Sequence, residues 1–371
     1  MRIPLSSPDI TEAEIDAVVA VLRSPRLSLG PVAEQFEAAI AKYVGAPHAV
    51  AVSSGTAGLH LCIRAMGIGR GDEVIVPSFA FIAAANVIRY EGATPVFVDI
   101  DPITLNIDPQ KIEAAVTPRT RAIMAVHTFG VPAEMKAILD IAERHRLLVI
   151  EDACEALGAE HRRQKAGSMG HVGVFAFYPN KQITTGEGGM VVTRDDALAR
   201  RIRAFRNQGR YESDDWFQHS ELGYNYRISE VNCALGLAQM ARVNEILARR
   251  AAVALGYQQR LASCEGLVLP PLVLPDARVS WFVYVVRLAN GARRDAMMRG
   301  LNAAGIGCGR YFAPIHLQPA YADWRHSAHL AVTEAEALRT LALPFSNHLS
   351  QGEMDEVCHT VGNLLLQREE G

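Results

Sequence analysis

One lysine of the sequence stands where it could form a covalent bond to a cofactor. An apolar, β-prone run from Gly173 ends in Pro179, Lys181 follows two residues later, and apolar residues return at Met190–Val192. This pattern predicts a strand, an exposed loop with the lysine at its apex, and a second strand. Burial can lower the pKa of a lysine and free a nucleophilic amine, and the glycines after Lys181 would let the backbone approach a ligand. The arrangement suits a Schiff base with an aldehyde cofactor; the alternative is a solvated surface lysine.

A carboxylate follows a different apolar run. Glu151 and Asp152 come directly after Leu147–Ile150. At the end of a buried strand, a carboxylate could pair with a protonated ring nitrogen, which is what pyridoxal phosphate needs to act as an electron sink. A helix cap or a structural salt bridge is the other interpretation of Asp152.

Small residues follow a third apolar run, Ala49–Val52. The segment from Ser53 to Gly58 opens a helix, where free backbone N–H groups suit a phosphate, although Ser and Thr there can also be ordinary N-caps. Phe81, shortly after the run Glu73–Val76, could stack on an aromatic cofactor, but a lone Phe more often belongs to a core.

The apolar runs alternate with helical patterns, and this alternation predicts how these residues meet. Near-continuous apolar strands separated by helices are typical of a parallel sheet covered on both faces. Ligands of such folds lie beyond the carboxyl ends of the strands, where the residues above fall. The predicted strands are Ala49–Val52, Glu73–Val76, Pro95–Val98, Ala122–Val126 and Leu147–Ile150, and the helices between them are Ala57–Met66, Phe79–Tyr90, Pro109–Val116 and Ala133–His145.

Further helices precede and follow this alternation. A helix over Thr11–Leu22 would turn one apolar face inward, made of Ile15, Val18, Val19 and Leu22. A long helix from Ser229 towards Leu261 would bridge into a second domain. We therefore predict a large domain over residues 1–245, with an N-terminal helical segment, and a smaller C-terminal α+β domain over residues 246–371 that could close over a site.

The composition narrows the class of protein. The chain has 371 residues and a formal net charge of -3 with both signs interspersed, so it lacks the basic footprint expected for nucleic acid or an anionic membrane. The N-terminus lacks the apolar core of a signal peptide, and no apolar run approaches the ~20 residues that span a bilayer. The scattered cysteines form no CxxC pair, so neither a metal site nor a disulfide framework is indicated. We expect a soluble, cytoplasmic protein.

Taken together, the motifs resemble those of the DegT/DnrJ family of sugar aminotransferases, and the resemblance covers almost the whole chain. It implies a pyridoxal-phosphate enzyme of the type I, aspartate-aminotransferase-like fold, which is α/β with a mostly parallel central sheet. The motifs in chain order are Ser54-Gly-Thr56, Gly71-Asp-Glu-Val-Ile-Val-Pro77, Val98-Asp-Ile-Asp101, Val149-Ile-Glu-Asp152, Lys181 with Thr185-Gly-Glu-Gly-Gly189, and Gly223-Tyr-Asn-Tyr-Arg227.

The resemblance also implies roles for single residues. Lys181 would carry the Schiff base and shuttle a proton, Asp152 would keep the pyridinium nitrogen protonated, and Phe81 would stack on the ring. The backbone N–H groups of Gly55, Thr56 and Ala57 would bind the phosphate. Asn225 would reach the phosphate from the neighbouring subunit of a homodimer with shared active sites. His316 matches a histidine that lines the substrate side in relatives.

Two positions depart from the residues that are common in the family. Ala176 stands where family members often have a serine that contacts the phosphate, and Glu155 stands near the cofactor's phenolic oxygen, where many relatives have Gln or His. A carboxylate there avoids repulsion only if it, or the phenolate, carries a proton. Perosamine synthases and similar 4-aminotransferases resemble this chain in having Glu, which favours a 4-keto-6-deoxy sugar nucleotide as substrate.

The expected reaction moves an amino group from L-glutamate to a keto-sugar nucleotide. Arg227 could bind the glutamate carboxylate, and a glycine-rich segment could meet the nucleotide through Arg310, Tyr311 and His316. Arg310 and His316 could also be plain surface residues. A keto-cyclitol acceptor and a non-catalytic regulatory relative are alternatives; the set of Lys181, Asp152 and Asn225 disfavours the second. Lys181 argues against the sugar 3-dehydratases of the family, in which His replaces the lysine.

Overall fold

The computed structural model describes residues 1–324 and 330–366. None of the helices within these ranges combines the length and the hydrophobicity that crossing a membrane requires. The α-helices of the described residues are α1 (Glu12–Leu22), α2 (Pro31–Val44), α3 (Gly55–Ala65), α4 (Ala83–Tyr90), α5 (Pro109–Ala115), α6 (Met135–His145), α7 (Asp196–Arg206), α8 (Glu230–Ala241), α9 (Val243–Leu261), α10 (Arg294–Ala303), α11 (Ala331–Arg339) and α12 (Gln351–Leu366).

The strands of the same residues form three sheets. They are β1 (His48–Val52), β2 (Glu73–Pro77), β3 (Thr94–Val98), β4 (Thr120–Val126), β5 (Leu148–Asp152), β6 (Glu160–His161), β7 (Gln164–Lys165), β8 (Val172–Ala176), β9 (Gly189–Thr193), β10 (Leu267–Val268), β11 (Ala277–Arg278), β12 (Tyr284–Leu288) and β13 (Thr340–Leu343). The central sheet has the order β1-β9-β8-β5-β4-β2-β3, and the two small sheets have the orders β10-β12-β13 and β11-β6-β7.

The central sheet is parallel except for one strand. Strands β3, β2, β4, β5 and β8 pair in parallel, whereas β9 runs antiparallel to both β8 and β1. The predicted α/β fold with a mostly parallel sheet is confirmed. The predicted alternation of strands and helices is also confirmed, with shifts of a few residues at the ends of the elements.

Helices cover both faces of this sheet. Val50 and Val52 of β1 pack in one cluster with α3, α4 and α7, whereas Ala49 and Ala51 pack on the other face with α2 and α8. Further along the sheet, α5 and α6 cover that second face. Strands buried on both faces need apolar side chains at nearly every position, which explains the continuous apolar runs of the sequence.

Helix α1 buries a different face from the one predicted. Its buried residues are Glu14 and Val21, whereas Ile15 is 46% and Leu22 57% exposed. The Glu14 carboxylate accepts hydrogen bonds from Arg242 Nε at 2.7 Å and Gln239 Nε2 at 2.8 Å. Because these distant donors bind Glu14, the helix turns its Glu14 side towards the protein. The predicted burial of Ile15 and Leu22 is therefore wrong for the single protomer.

The long helix predicted from Ser229 towards Leu261 is in fact two helices. The backbone leaves the helical region at Arg242 (φ -121°, ψ 20°), where α8 gives way to α9. The Arg242 side chain turns to the N-terminal segment, where it donates to Asp9 Oδ1 at 2.6 Å and to Glu14.

Helix α9 passes from one core into another. Ile246, in its first turn, packs with α2 and α8, whereas Tyr257 packs with β12, β13, α10 and α12. Ile3 also belongs to this second core and forms an isolated bridge with Ile306. The division at residue 245 stays a prediction, and the first residues of the chain pack with the C-terminal part.

We expect Glu14→Gln to lower the free energy of unfolding at neutral pH by about 1–3 kcal/mol, because its hydrogen bonds to Thr11, Gln239 and Arg242 lose a charged acceptor. Burial opposes ionisation of the Glu14 carboxyl, but these hydrogen bonds lower its pKa to about 2. A carboxyl whose pKa is lowered by folding stabilises the folded state above its unfolded pKa, and this stabilisation is lost as the pH falls towards the folded value.

The stability difference between the wild-type protein and Glu14→Gln should therefore shrink between neutral pH and about pH 3. Chemical denaturation across this pH range measures it. Glu12→Gln is the matched control, because Glu12 lies in the same helical turn but is exposed. A difference that does not change with pH would show that the charge of Glu14 does not stabilise the fold.

Candidate active site

A cavity of about 540 Å³ lies at the carboxyl end of the central sheet. Strands β4, β5 and β8 each bring their last residue to its wall, namely Val126, Asp152 and Ala176. This is the edge at which parallel α/β sheets bind ligands. Other wall residues follow the strand ends (Ser54, Gly55, Thr56, Phe81, Cys154, Glu155 and Lys181) or come from the C-terminal part (Phe282, Tyr311 and Phe312).

Lys181 lies in the loop between β8 and β9, and its side chain borders the cavity. Its Nζ is 3.9 Å from the centroid of the Phe282 ring and 3.4 Å from Glu155 Oε1, and the side chain is only 13% exposed. The next residue, Gln182, donates from Nε2 to the carbonyl oxygens of Glu155 (2.6 Å) and Ser280 (2.8 Å). These contacts hold the lysine amine between an aromatic face and a carboxylate.

The glycines after Lys181 serve the protein's own packing. Gly186 has a φ of 78°, which favours glycine in the turn. A Cβ on Gly189 would lie 2.6 Å from the backbone of Ser54. The close approach that the sequence suggested for a ligand is therefore made at Gly189 by the loop before α3.

Asp152 ends β5 with its side chain at the cavity wall. It is 7% exposed, and Oδ1 accepts a hydrogen bond from the backbone N–H of Cys154 at 3.1 Å. This local contact is an Asx turn and not a helix cap, because the described residues after β5 form turns and strands before the next helix, α7. A carboxylate can accept several hydrogen bonds, so the contact leaves capacity for a ligand N–H.

Glu155 is buried beside Lys181. Its Oε2 accepts a hydrogen bond from the backbone N–H of Phe129 at 2.9 Å. Burial raises the pKa of the Glu155 carboxyl, although the charge of Lys181 opposes the shift. Glu155 therefore holds a proton more readily than an ordinary glutamate, as a carboxyl beside a phenolic oxygen requires.

The N-terminus of α3 opens on the cavity. Ser54 caps the helix, and its Oγ accepts a hydrogen bond from the backbone N–H of Ala57 at 3.0 Å. Gly55 and Thr56 border the cavity, and N–H groups in the first turn have no acceptor within the helix. The backbone N–H groups of Gly55 and Thr56 are thus available to bind an anion, whereas the N–H of Ala57 already donates to the capping Ser54 side chain.

These groups fit pyridoxal phosphate. Lys181, Asp152 and Thr56 bring an amine, a carboxylate for a ring nitrogen and an anion site to one cavity. The Phe81 ring borders the same space and is 60% exposed, which leaves it open for stacking.

Asn225 and Arg227 lie outside the cavity of their own protomer. Asn225 is exposed and forms an isolated antiparallel bridge with Asn207. Arg227 Nη1 donates to Asn207 Oδ1 at 3.0 Å. Neither residue belongs to the described wall of this cavity.

The segment from Gly305 to His316 brings one of its three predicted residues to the wall. Tyr311 borders the cavity, and burial raises the pKa of its phenol. Arg310 is 56% exposed and pairs with Asp295 at 2.8 Å. His316 is 1% exposed, its Nδ1 lies 2.7 Å from Ser78 Oγ, and burial lowers its pKa. Within the protomer, Arg310 and His316 therefore do not line the substrate side as predicted, because one is paired outside the cavity and the other is enclosed by protein.

Several wall residues were not predicted from the sequence. Tyr178 and Asn180 immediately precede Lys181, and Glu187 follows in the same loop, so proximity to the lysine was a usable signal. Phe282 and Phe312 come from the C-terminal part, and no sequence pattern connects them with Lys181.

The chain is similar to known proteins over nearly its full length. The model of the DegT/DnrJ/EryC1/StrS aminotransferase family matches residues 8–362. GDP-perosamine synthase of Caulobacter vibrioides is 44% identical over 98% of this chain and 99% of its own length. The spore coat polysaccharide biosynthesis protein SpsC of Bacillus subtilis is 40% identical over 98% of this chain and 97% of its own length.

A solved structure agrees with these sequence matches. DesV of S. venezuelae, in complex with a ketimine intermediate, superimposes with a TM-score of 0.92 at 37% identity, over 99% of this chain and 100% of that one. The matches confirm the fold, the cofactor and the reaction class expected from the motifs. The chain belongs to the DegT/DnrJ/EryC1/StrS aminotransferase family and is a pyridoxal-phosphate-dependent aminotransferase.

Proposed function

We propose that this aminotransferase transfers the amino group of L-glutamate to a keto-sugar nucleotide, an NDP-4-keto-6-deoxyhexose, in amino-sugar or polysaccharide biosynthesis. The observation that carries the proposal is the meeting of Lys181, Asp152 and Glu155 in one cavity. The names of two relatives, GDP-perosamine synthase and a spore coat polysaccharide biosynthesis protein, support the class of acceptor.

Bound pyridoxal phosphate supplies an aldehyde that takes up the amino group and an electron-poor ring that stabilises negative charge. Gly55 and Thr56 would bind its phosphate at the N-terminus of α3, and Phe81 would stack on its ring. Asp152 would keep the ring nitrogen protonated, because a buried carboxylate beside that nitrogen favours the charged form.

Lys181 would move the proton in both half-reactions. Its Nζ lies 3.4 Å from Glu155 Oε1, and because burial raises the pKa of Glu155, this carboxyl is a weaker counter-ion for the amine than an ordinary glutamate would be. The loop is fixed at both ends in β8 and β9, which limits how far Nζ can move from the cavity wall.

The C-terminal wall would contact the sugar. Tyr311 and Phe312 present aromatic side chains to the cavity. Because its pKa is raised, the Tyr311 hydroxyl stays protonated at neutral pH and could donate to a sugar oxygen.

We also propose a homodimer with shared active sites. The single protomer exposes apolar side chains around α1 and the loop after it, where Ile15, Leu22, Leu27 and Leu29 are 46–60% exposed. A surface of this kind marks an interaction site. A second copy would cover it, and two-fold symmetry could place Asn225 at the partner's cofactor phosphate and Arg227 near the glutamate carboxylate.

The acceptor is tested with a panel of keto-sugar nucleotides and keto-cyclitols, with glutamate as donor and the product identified by mass. We expect amination of a 4-keto-6-deoxyhexose nucleotide, because the relatives point to sugar substrates. Amination of a keto-cyclitol alone would replace the proposal with the cyclitol alternative.

Asp152→Asn should raise the barrier to turnover by about 2–4 kcal/mol, because the ring nitrogen loses its charged partner. A borohydride-reducible linkage at Lys181 should still form, because the amine is unchanged. Steady-state rates and absorbance spectra measure the two effects. A variant that turns over at the wild-type rate would remove Asp152 from the mechanism.

Subunits carrying Lys181→Ala and subunits carrying Asn225→Ala should each be inactive alone and should regain activity when mixed. A heterodimer of the two would contain one site with an intact lysine and an intact Asn225 from the partner subunit. Each variant dissociated and reassociated by itself is the control. Mixed subunits that remain inactive, despite proven heterodimer formation, would contradict the shared site.

A further inference from the structure

Two tyrosines flank Asn225 and turn towards the same side. Residues at i and i+2 of an extended segment lie on one face, and the Tyr224 and Tyr226 rings stack with centroids 5.0 Å apart. The backbone of the segment is also fixed, because the N–H of Tyr224 donates to Phe205 O at 2.7 Å and that of Tyr226 to Arg206 O at 3.0 Å.

Both tyrosine hydroxyls contact the same cluster of polar side chains. The Tyr224 hydroxyl donates to Glu91 Oε1 at 2.9 Å, and the Tyr226 hydroxyl lies 3.1 Å from His60 Nδ1. His60 Nε2 is 2.8 Å from Glu91 Oε1. Because a carboxylate accepts, Nε2 carries the hydrogen, and in the neutral ring Nδ1 then accepts from the Tyr226 hydroxyl. Arg64 Nη1 donates to the other carboxylate oxygen at 3.1 Å.

This cluster joins the Asn225 segment to two helices that border the cavity. His60 and Arg64 lie on α3, which begins at the anion site, and Glu91 directly follows α4. The side chains of His60 and Glu91 are only 6% and 11% exposed. The backbone adds a further link, because the N–H of Ser53 donates to Tyr226 O at 2.8 Å.

We propose that Glu91 and His60 are positioning residues that hold Asn225 ready for the active site of the partner subunit. We call the group of His60, Glu91, Tyr224 and Tyr226 the tyrosine clamp. The inference rests on the proposed shared site. The new element is that Asn225, which would enter the partner's active site, is held by α3 and α4, which border the active site of its own subunit.

The physical reason is preorganisation. An exposed loop that is free to move loses conformational entropy when it binds, whereas a loop already fixed does not. A buried carboxylate that accepts from Tyr224, His60 and Arg64 fixes the segment from one side and leaves Asn225 exposed on the other.

The test places Glu91→Ala on one subunit of a heterodimer at a time. The offering subunit carries Lys181→Ala and an intact Asn225; the receiving subunit carries Asn225→Ala and an intact Lys181. Only the receiving subunit can then hold pyridoxal phosphate in a borohydride-reducible linkage. The affinity of that site for pyridoxal phosphate is read from the reducible fraction as the cofactor concentration rises.

We expect Glu91→Ala on the offering subunit to weaken the affinity by about tenfold, the scale of losing one or two hydrogen bonds to a charged group. On the receiving subunit, the same change should have little effect. A general loss of structure would weaken the site in both placements or more strongly in the receiving one, and that result would overturn the proposal.

Milder variants keep the test valid if Glu91→Ala folds poorly. Tyr224→Phe and Tyr226→Phe each remove one hydroxyl and keep the stacked ring, so they should act in the same direction and only from the offering subunit. Tyr90→Phe is the matched control. The Tyr90 ring contacts His60 edge-on, with ring centroids 5.3 Å apart, but its hydroxyl makes no hydrogen bond to the described residues. A Tyr90→Phe effect as large as that of Tyr224→Phe would count against the clamp.

The experiment separates this inference from the shared site itself. If the heterodimer with an intact clamp gains neither activity nor cofactor affinity over the Asn225→Ala homodimer, the shared site is wrong. If that heterodimer gains both and Glu91→Ala on the offering subunit changes neither, the shared site stands and the positioning role is wrong.

Discussion

Two carboxylates and one lysine amine share a largely enclosed cavity, and the balance of their charges constrains the residues around them. Water screens charges poorly in such a space, so two ionised carboxylates beside one ammonium group would be costly. Burial raises the pKa of Glu155 and so favours its neutral form, which relieves part of this cost. Two hydrogen bonds fix Glu155 next to Lys181: the backbone N–H of Phe129 donates to the Glu155 carboxylate, and the Gln182 side chain donates to the Glu155 carbonyl oxygen.

The sequence predicted best those elements whose side chains are fixed by local pattern. The parallel strands read as apolar runs because both faces are covered, and Lys181, Asp152 and Thr56 meet because parallel strands end at one edge. The failures depend on distant partners. Glu14 is buried by an arginine that lies 228 positions away, and this contact decides which face of α1 turns inward. Phe282 reaches Lys181 only through the packing of the C-terminal part, for which no periodicity gives a signal.

Helix α3 has three structural roles. Its first turn offers N–H groups to an anion, its apolar side chains cover one face of the sheet, and His60 holds the segment that carries Asn225. The same helix therefore borders the cofactor site of its own protomer and, in the proposed dimer, would help to hold the segment offered to the partner's site. The packing of Gly55, where a Cβ would lie 2.7 Å from Ala176 Cβ, shows how little room this arrangement leaves at the sheet edge.

Two different parts of the chain form the walls of the cavity, and this has an evolutionary consequence. The residues that would bind and activate the cofactor follow strands of the central sheet, whereas Phe282, Tyr311 and Phe312 come from the C-terminal part. Substitutions of Tyr311 or Phe312 can reshape the space for an acceptor without changing Lys181 or Asp152, whereas Phe282 also contacts the Lys181 amine. The same amino-transfer chemistry could thus serve a different acceptor after substitutions at Tyr311 and Phe312 alone, because these residues and the strand ends lie on different parts of the chain.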